Sequence, residues 1–243
     1  MDGSKLQAKL LGETFKQASV ITIDQLHDFY KTFQPSIKRS TLRWRIYELV
    51  RQGVLNNVGR GLYTLHPLRE FRPEIPRHIK ILHTPIVKEF PYATISTWTS
   101  EWLRKWLLHM PKSFFTIVEV ESDALQHIFH FLQDSRRFVF LNSYPSLEMT
   151  GYHRDKVIVV KKLTSQSPLV EREGIAIPTI EKILVDLYID SDAFPSMQGK
   201  DLKEIYKGVF HDFDVNTKSM FRYASRRGKL DEIVEFLHQL SEG

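Results

Sequence analysis

Apolar residues recur at three- and four-residue spacing in the first fifty positions, which is the period of helices with one buried face. One such segment spans about residues 23–33 and follows Thr22, a residue type that caps helix N-termini. The next begins near Ser40, which we expect to cap it, and stops at Gly53. An earlier segment, residues 5–17, completes a predicted set of three packed helices. The inward stripe of the helix after Ser40 is predicted to consist of Leu42, Ile46, Leu49 and Val50.

Two β-prone segments, residues 54–58 and 62–65, follow these helices and are joined by Gly59-Arg60-Gly61. Glycine permits the tight turn that such a hairpin needs. Helices followed by a two-stranded hairpin are typical of a winged helix-turn-helix, in which the hairpin is the wing. We therefore predict a winged helix-turn-helix domain over residues 1–66.

Basic residues are concentrated in this predicted domain. Residues 36–66 contain six basic residues and one acid, whereas the whole chain of 243 residues has a formal net charge of only +5. Duplex DNA is a dense line of negative charge, so a concentrated basic surface favours DNA as the partner. The alternative is that the same fold serves a protein contact and that its cations are merely solvated.

The helix after Ser40 is predicted to be the one that enters a DNA groove. Its outward side chains are predicted to be Thr41, Trp44, Arg45 and Glu48, with Arg43 and Tyr47 at the flank. Arg43 and Arg45 are expected at base edges, whereas Arg60 at the hairpin tip is expected at the minor groove or its phosphates. Trp44 could lie on the DNA surface, although we favour packing beneath the wing. The full predicted set of DNA contacts is Lys38, Arg39, Ser40, Thr41, Arg43, Trp44, Arg45, Asn57 and Arg60.

Prolines dominate residues 67–91, where we place the connection to a second domain over residues 92–243. A helix with tryptophans at four-residue spacing is predicted over residues 97–109. Predicted strands then alternate with helices, and residues 179–240 form a helical tail. The predicted fold class is α+β: a winged helix-turn-helix, then a mixed α/β domain that ends in a helical subdomain. Beyond residue 109, the predicted strands are 114–120, 138–141, 157–160 and 174–177, and the predicted helices are 123–132, 179–188, 200–211, 219–227 and 230–240.

The chain has no cysteine, which excludes disulfides, thiolate zinc sites and cysteine nucleophiles. A cytoplasmic location suits that composition best. The longest uncharged run, residues 90–100, is short of the ~20 apolar residues that a membrane helix needs, so no membrane partner is expected.

Little in the sequence indicates catalysis. His127 and His130 lie three residues apart beside Asp123, but no third ligand follows in a metal-binding pattern. Glu119 at the end of a strand has a weak likeness to magnesium-dependent nucleases, although the expected lysine is replaced by Glu121. Asp186, on a predicted helix, could be a site residue, but we favour the polar face of that helix. We therefore predict no catalytic residues, no metal and no cofactor.

Three segments, 59–63, 177–187 and 221–228, occur in an order and at a separation that resemble the AbiEi-type family of antitoxins and transcriptional regulators. They read Gly-Arg-Gly-Leu-Tyr, Ile-Pro-Thr-Ile-Glu-Lys-Ile-Leu-Val-Asp-Leu and Phe-Arg-Tyr-Ala-Ser-Arg-Arg-Gly. The likeness covers about residues 5–240. Residues 95–162 depart from the family pattern, which indicates a divergent branch.

The resemblance implies a bacterial repressor that binds repeats in the operator of its own operon and is the antitoxin of a type IV toxin-antitoxin, or abortive-infection, system. The implied toxin is a nucleotidyltransferase-like protein of the AbiEii type, which such antitoxins counter without a stable complex. Self-association on DNA would accompany binding to repeats. Two alternatives remain open at this point: a nuclease that the winged helix directs to DNA, and a non-enzymatic interaction scaffold.

Overall fold

The computed structural model describes residues 6–16, 18, 20–59, 61–65, 69–136, 138–142 and 157–242. Helices and a multi-stranded sheet both contribute to it, so the predicted α+β class is confirmed. None of the helices within these ranges combines the length and apolar composition that crossing a bilayer requires.

The N-terminal part contains three helices and a three-stranded antiparallel sheet with the strand order β1-β3-β2. Tyr63 on β3 lies opposite Ile21 on β1 and Asn57 on β2. The helices enclose a core that includes Leu26, Tyr30 and Leu49. The elements are α1 (Ala8–Thr14), β1 (Ile21–Thr22), α2 (Ile23–Lys31), α3 (Arg39–Arg51), β2 (Asn56–Gly59) and β3 (Leu62–Thr64).

Thr22 caps α2 as predicted. Its hydroxyl accepts a hydrogen bond from the amide of Gln25 at 3.1 Å, and the Gln25 side chain accepts one from the amide of Thr22 at 2.8 Å. This reciprocal pair satisfies two backbone donors that a helix N-terminus leaves free.

The predicted cap of α3 is wrong. Lys38 holds the extended backbone of the capping position, no side chain caps the helix, and Ser40 lies inside the first turn. The first turn is exposed, so water can satisfy its free amides. The following strand begins later than predicted because the amides of Val54 and Leu55 still bond to the carbonyl of Leu49.

The second part is built on a six-stranded mixed sheet with the order β6-β7-β5-β4-β9-β8. Strands β6, β7 and β5 run parallel to one another, β4 is antiparallel to β5 and parallel to β9, and β8 is antiparallel to β9. The elements are α4 (Arg77–Glu89), β4 (Ile95–Thr99), β5 (Thr116–Val120), α5 (Leu125–Ser135), β6 (Val139–Leu141), β7 (Ile158–Lys162), β8 (Leu169–Arg172) and β9 (Ile175–Pro178).

One prediction in this part is wrong, and one helix was not predicted. The residues placed in the proline-rich connection contain the unpredicted helix α4, which continues past Pro85 because Ile79, Leu82 and Ile86 are buried against the sheet. The tryptophan-bearing segment is not an α-helix: it forms strand β4 and a 3-10 helix, Ser100–Trp106. Pairing with β5 and β9 on both sides fixes β4 as a strand, so sheet packing overrides the helical spacing.

The chain ends in four helices that pack on one face of the sheet, and α4 and α5 cover the other. Alternation along β5 shows the division, since Ile117 faces the tail helices whereas Val118 and Val120 face α4 and α5. All four tail helices were predicted, and their ends differ from prediction by at most two residues. They are α6 (Ile180–Ile189), α7 (Lys200–Asp212), α8 (Thr217–Arg226) and α9 (Leu230–Glu242).

The hairpin of β2 and β3 packs on the helical tail. Val58 and Leu62 are buried in the same apolar cluster as Met220, Tyr223 and Leu237. Helix α8 contacts β2, and α9 contacts β1. The orientation of the hairpin is therefore set by the second part of the chain as well as by the first.

Candidate nucleic-acid interface

Helix α3 presents one broad exposed face. Its buried side consists of Leu42, Ile46 and Leu49, with Thr41, Arg45 and Val50 half-buried. Trp44 is 47% exposed and Tyr47 is 64% exposed. The exposed residues of α3 are Arg39, Ser40, Arg43, Trp44, Tyr47 and Arg51.

The predicted orientation of α3 is partly wrong. Arg43 and Tyr47, which were placed at the flank, are on the exposed face, and Glu48, which was placed outward, is only 9% exposed. The buried stripe is centred on Leu42 and Leu49, and Val50 lies at its edge. The outward face of α3 is therefore rotated toward Arg43 and Tyr47 relative to the prediction.

Arg45 turns back toward α2. Its Nη2 donates a hydrogen bond to Oε1 of Gln34 at 2.9 Å, and its guanidinium carbon lies 4.8 Å from the centre of the Tyr30 ring. The first contact ties the α2–α3 connection to α3, and the second ties α2 itself to α3. Arg45 therefore packs against α2, on the opposite side of α3 from Arg43.

Arg51 is neutralised by its neighbour. It donates two hydrogen bonds to Oε2 of Glu48, at 3.2 and 2.7 Å. No carboxylate in the described part of the chain pairs with Lys38, Arg39 or Arg43. These three exposed cations at the start of α3 carry the net positive charge of its outer face.

Trp44 does not pack beneath the hairpin, contrary to the favoured prediction. The hairpin residues that could have covered it, Val58 and Leu62, are directed into the apolar cluster of the helical tail. Trp44 therefore stays on the outer face of α3 beside Arg43.

The predicted hairpin contacts are placed only in part. Asn57 on β2 is exposed opposite Tyr63, and the strand pairing shifts by one residue between Asn57 and Gly59. Arg60 lies outside the described residues. Gly61 follows with a positive φ of 77°, a conformation that favours glycine.

A second exposed basic face, which was not predicted from the sequence, lies on α8. Lys218, Arg222 and Arg226 are exposed at four-residue spacing, and α8 contains no acidic residue. Arg226 donates to the neutral side chain of Gln166. Because α8 contacts strand β2, this face belongs to the element that supports the hairpin. The four-residue spacing of cations without intervening acids was the sequence pattern that could have revealed it.

A closed ring of ion pairs joins the sheet to the tail helices. Acidic and basic side chains alternate around this ring. Lys182 Nζ lies 2.7 Å from each carboxylate oxygen of Glu119 and 2.5 Å from Oδ2 of Asp186. Glu119 also accepts a hydrogen bond from Trp98 Nε1 at 3.2 Å. Going around, the ion-pair ring consists of Glu119, Lys182, Asp186, Arg227, Asp190 and Lys161.

The other half of the ion-pair ring lies closer to the surface. Arg227 donates to Oδ1 of Asp186 at 2.5 Å and to Oδ1 of Asp190 at 2.6 Å. Lys161 lies 2.5 Å from Oδ2 of Asp190 and 3.8 Å from Oε1 of Glu119. Three carboxylates thus meet three cations, and the buried charges sum to zero.

Protonation states in the ion-pair ring follow from this pairing. Burial alone would raise the pKa of Asp186, but Lys182, Lys161 and Arg227 outweigh it and lower that pKa to about 2. Burial alone would lower the pKa of Lys182, but Asp186 and Glu119 leave it above its ordinary value. Asp186 is therefore a buried, ionised structural group, and its prediction as part of a polar helix face is wrong.

The nuclease alternative gains no support from the position of Glu119. This side chain is 1% exposed, and both of its oxygens are occupied by Lys182 and Trp98. His127 and His130 are exposed on α5. Within the ranges that the structure describes, no group of three or more histidine and acidic side chains could hold a metal ion.

No curated protein matches the chain. A family model described as "Family of unknown function (DUF6577)" matches residues 41–242, from within α3 to the last residue of α9. The match covers most of the chain, including α3 from Thr41 onward, the hairpin and the ion-pair ring, and it begins after Lys38 and Arg39. The chain therefore belongs to the DUF6577 family, whose function is unknown.

Proposed function

We propose that this protein is a sequence-specific DNA-binding transcriptional repressor that acts as the antitoxin of a type IV toxin-antitoxin system. The observation that carries the DNA-binding part is the outer face of α3. There, Lys38, Arg39 and Arg43 are exposed without a carboxylate partner among the described residues.

The element order supports a winged helix-turn-helix. Three helices, a short strand between the first two of them, and a closing hairpin give the strand order β1-β3-β2. In that arrangement, α3 is the recognition helix, and β2 and β3 form the wing. A helix of this kind enters the major groove by its N-terminal part, and Lys38, Arg39 and Arg43 lie in that part of α3.

The roles of the cations follow from their positions. Arg43, one turn into α3, is the candidate for base recognition, because arginine donates two parallel hydrogen bonds to guanine. Lys38 and Arg39 at the helix start fit phosphate contacts, and we assign Arg60 in the wing the same role. Arg45 is not proposed as a groove contact, since Gln34 and Tyr30 hold it toward α2.

The basic face of α8 extends the proposed interface into the second part of the chain. Lys218, Arg222 and Arg226 lie on the helix that supports wing strand β2. Contacts from this face would reach DNA phosphates beside the wing and would add affinity without sequence preference.

Single substitutions on α3 test the DNA-binding proposal. The protein is titrated against labelled duplex from its own upstream region and against a scrambled duplex of the same composition. Arg43→Ala should lose about 1–3 kcal/mol of preference for the upstream duplex. Arg45→Ala should lose much less of that preference.

The matched control is Arg77→Ala. Arg77 is an exposed arginine at the start of α4, on the sheet face opposite the tail helices. This variant should bind both duplexes as the wild type does. Equal preference in the wild type and in Arg43→Ala would contradict the assignment of α3 as the recognition helix.

The antitoxin part of the proposal rests on the resemblance of segments 59–63, 177–187 and 221–228 to AbiEi-type proteins. The partner would be a nucleotidyltransferase-like toxin encoded beside this chain and countered without a stable complex. Co-expression with the neighbouring gene tests it: the wild type should restore growth, and Arg43→Ala should restore growth while losing repression. Growth arrest that the wild type does not relieve would contradict this part.

A further inference from the structure

Two large aromatic side chains lie exposed on the recognition face of α3. Trp44 is 47% exposed and Tyr47 is 64% exposed. Residues three apart on a helix are surface neighbours, so the two side chains lie next to each other on this exposed face. Isolated exposed apolar residues are common, but adjacent aromatics bordered by cations mark a contact surface.

The surroundings of these rings limit what can cover them. Arg43 directly precedes Trp44 on the exposed face, and Arg39 lies one turn earlier. Neither arginine has a carboxylate partner in the described ranges, which suits a polyanion and disfavours a second basic surface. The proposed function supplies such a polyanion, duplex DNA with α3 in its major groove.

The major groove offers one apolar group to an aromatic ring. Adenine, guanine and cytosine present hydrogen-bonding groups there, whereas thymine also presents its C5-methyl group. Burying a methyl group against a ring removes apolar surface from water, and the ring gains dispersion contacts. An aromatic surface in this groove therefore discriminates in favour of thymine.

We propose that Trp44 and Tyr47 contact thymine methyl groups in the major groove and thereby select A·T base pairs within the operator. This inference rests on the proposed function, since it requires α3 to enter the groove. With Arg43 one turn before Tyr47, the operator half-site is expected to combine a G·C pair with neighbouring A·T pairs.

Replacing every thymine of the upstream duplex by deoxyuridine tests the inference, because the replacement removes methyl groups and leaves base pairing intact. Burial of one methyl group corresponds to about fourfold in affinity, so loss of two contacts should weaken wild-type binding about fifteenfold. Binding to the scrambled duplex should change little with the same replacement.

Substitutions then assign the effect to the two rings. Trp44→Ala and Tyr47→Ala should each bind the thymine duplex more weakly. In each variant, the uracil sensitivity, which is the ratio of affinities for the thymine and uracil duplexes, should be about fourfold smaller. Both side chains are exposed, so neither substitution removes a core residue. Tyr92→Ala is the matched control, because Tyr92 is 98% exposed in the loop between α4 and β4. This variant should keep the full uracil sensitivity of the wild type.

Each outcome has a distinct meaning. Upstream preference with equal affinity for the thymine and uracil duplexes would overturn the inference and leave the proposed function standing. Uracil sensitivity that survives both alanine substitutions would overturn it too, because the methyl contacts would then lie elsewhere. Tighter binding to single-stranded oligothymidine than to duplex would also overturn the inference, because the two rings would then stack on unpaired bases. Absence of duplex binding would remove the proposed function and the inference together.

Discussion

At the scale of single residues, Asp186 shows how a buried charge is maintained in this protein. It is fully buried, yet Lys182 and Arg227 contact it and Tyr223 donates a hydrogen bond to it at 2.9 Å. The helical period placed this aspartate on a polar face, and only the fold could show that Glu119, far away in sequence, shares Lys182 with it. The sequence alone does not identify the ion-pair partners of a residue when those partners lie on other helices or strands.

The depressed pKa of Asp186 predicts a dependence of stability on pH. Its folded pKa is about 2 against an ordinary value of 3.8, so its stabilising effect is complete above about pH 4 and is lost as the pH falls toward 2. The loss amounts to about 2 kcal/mol in the free energy of unfolding. Urea unfolding across this range measures it.

The matched variant is Asp186→Asn. It should unfold about 3–5 kcal/mol more easily at pH 7, because a buried cation loses one partner. Its stability should also fall less steeply than that of the wild type between pH 4 and 2. An identical acid dependence in the two proteins would show that Asp186 is not the group that titrates.

At the scale of elements, the local pattern predicted the tail helices and the strands β5, β6, β7 and β9, and it failed at β4 and α4, where tertiary packing decides. Thr22 and the apolar stripe of α2 identified that helix, and the four tail helices were predicted with nearly correct ends. Strand β4 was mistaken for a helix because its tryptophan spacing continues into the 3-10 helix. Helix α4 was missed because Pro85 suggested a connection, whereas burial of its apolar face sustains it.

The 3-10 helix packs so closely on α7 that adding one methyl group at Gly208 is expected to destabilise the fold. A Cβ atom at Gly208 would lie 2.0 Å from Cδ1 of Trp106, whose Nε1 donates to Oδ2 of Asp212 at 2.9 Å. Gly208→Ala must displace this ring and should destabilise the protein by about 1–3 kcal/mol in urea unfolding.

Gly12→Ala is the control within a helix. Gly12 lies in α1, and a Cβ there would meet nothing within 4 Å. Removing the flexibility of glycine should leave stability unchanged or raise it by up to about 1 kcal/mol. Equal effects of the two substitutions would contradict the packing of Trp106 on α7.

At the scale of the whole molecule, the two parts of the chain share the hairpin. The ion-pair ring links strands β5 and β7 to α6 and the end of α8, and α8 in turn supports β2. The basic residues of the N-terminal part could be located from the sequence, but their orientation could not. Which cations stay unpaired depends on Glu48 and Gln34, whose contacts only the folded chain defines.

The basic face of α8 predicts a contribution to affinity that carries no sequence preference. Lys218→Ala and Arg222→Ala should each make the slope of log affinity against log salt concentration less steep by about 1. Each variant should keep the wild-type ratio between upstream and scrambled duplexes. A changed ratio, or an unchanged slope, would remove α8 from the interface.

The most direct test of the account is a titration of the wild-type protein against upstream and scrambled duplex over a series of salt concentrations, with Mg²⁺ present. We expect preference for the upstream duplex, intact strands, and a slope of log affinity against log salt of roughly −5, as phosphate contacts from the cations of α3, the wing and α8 require. Binding that is equally weak for both duplexes and insensitive to salt would contradict the assignment of α3 and the wing as a DNA-binding surface. Cleaved strands would instead place the function in a nuclease.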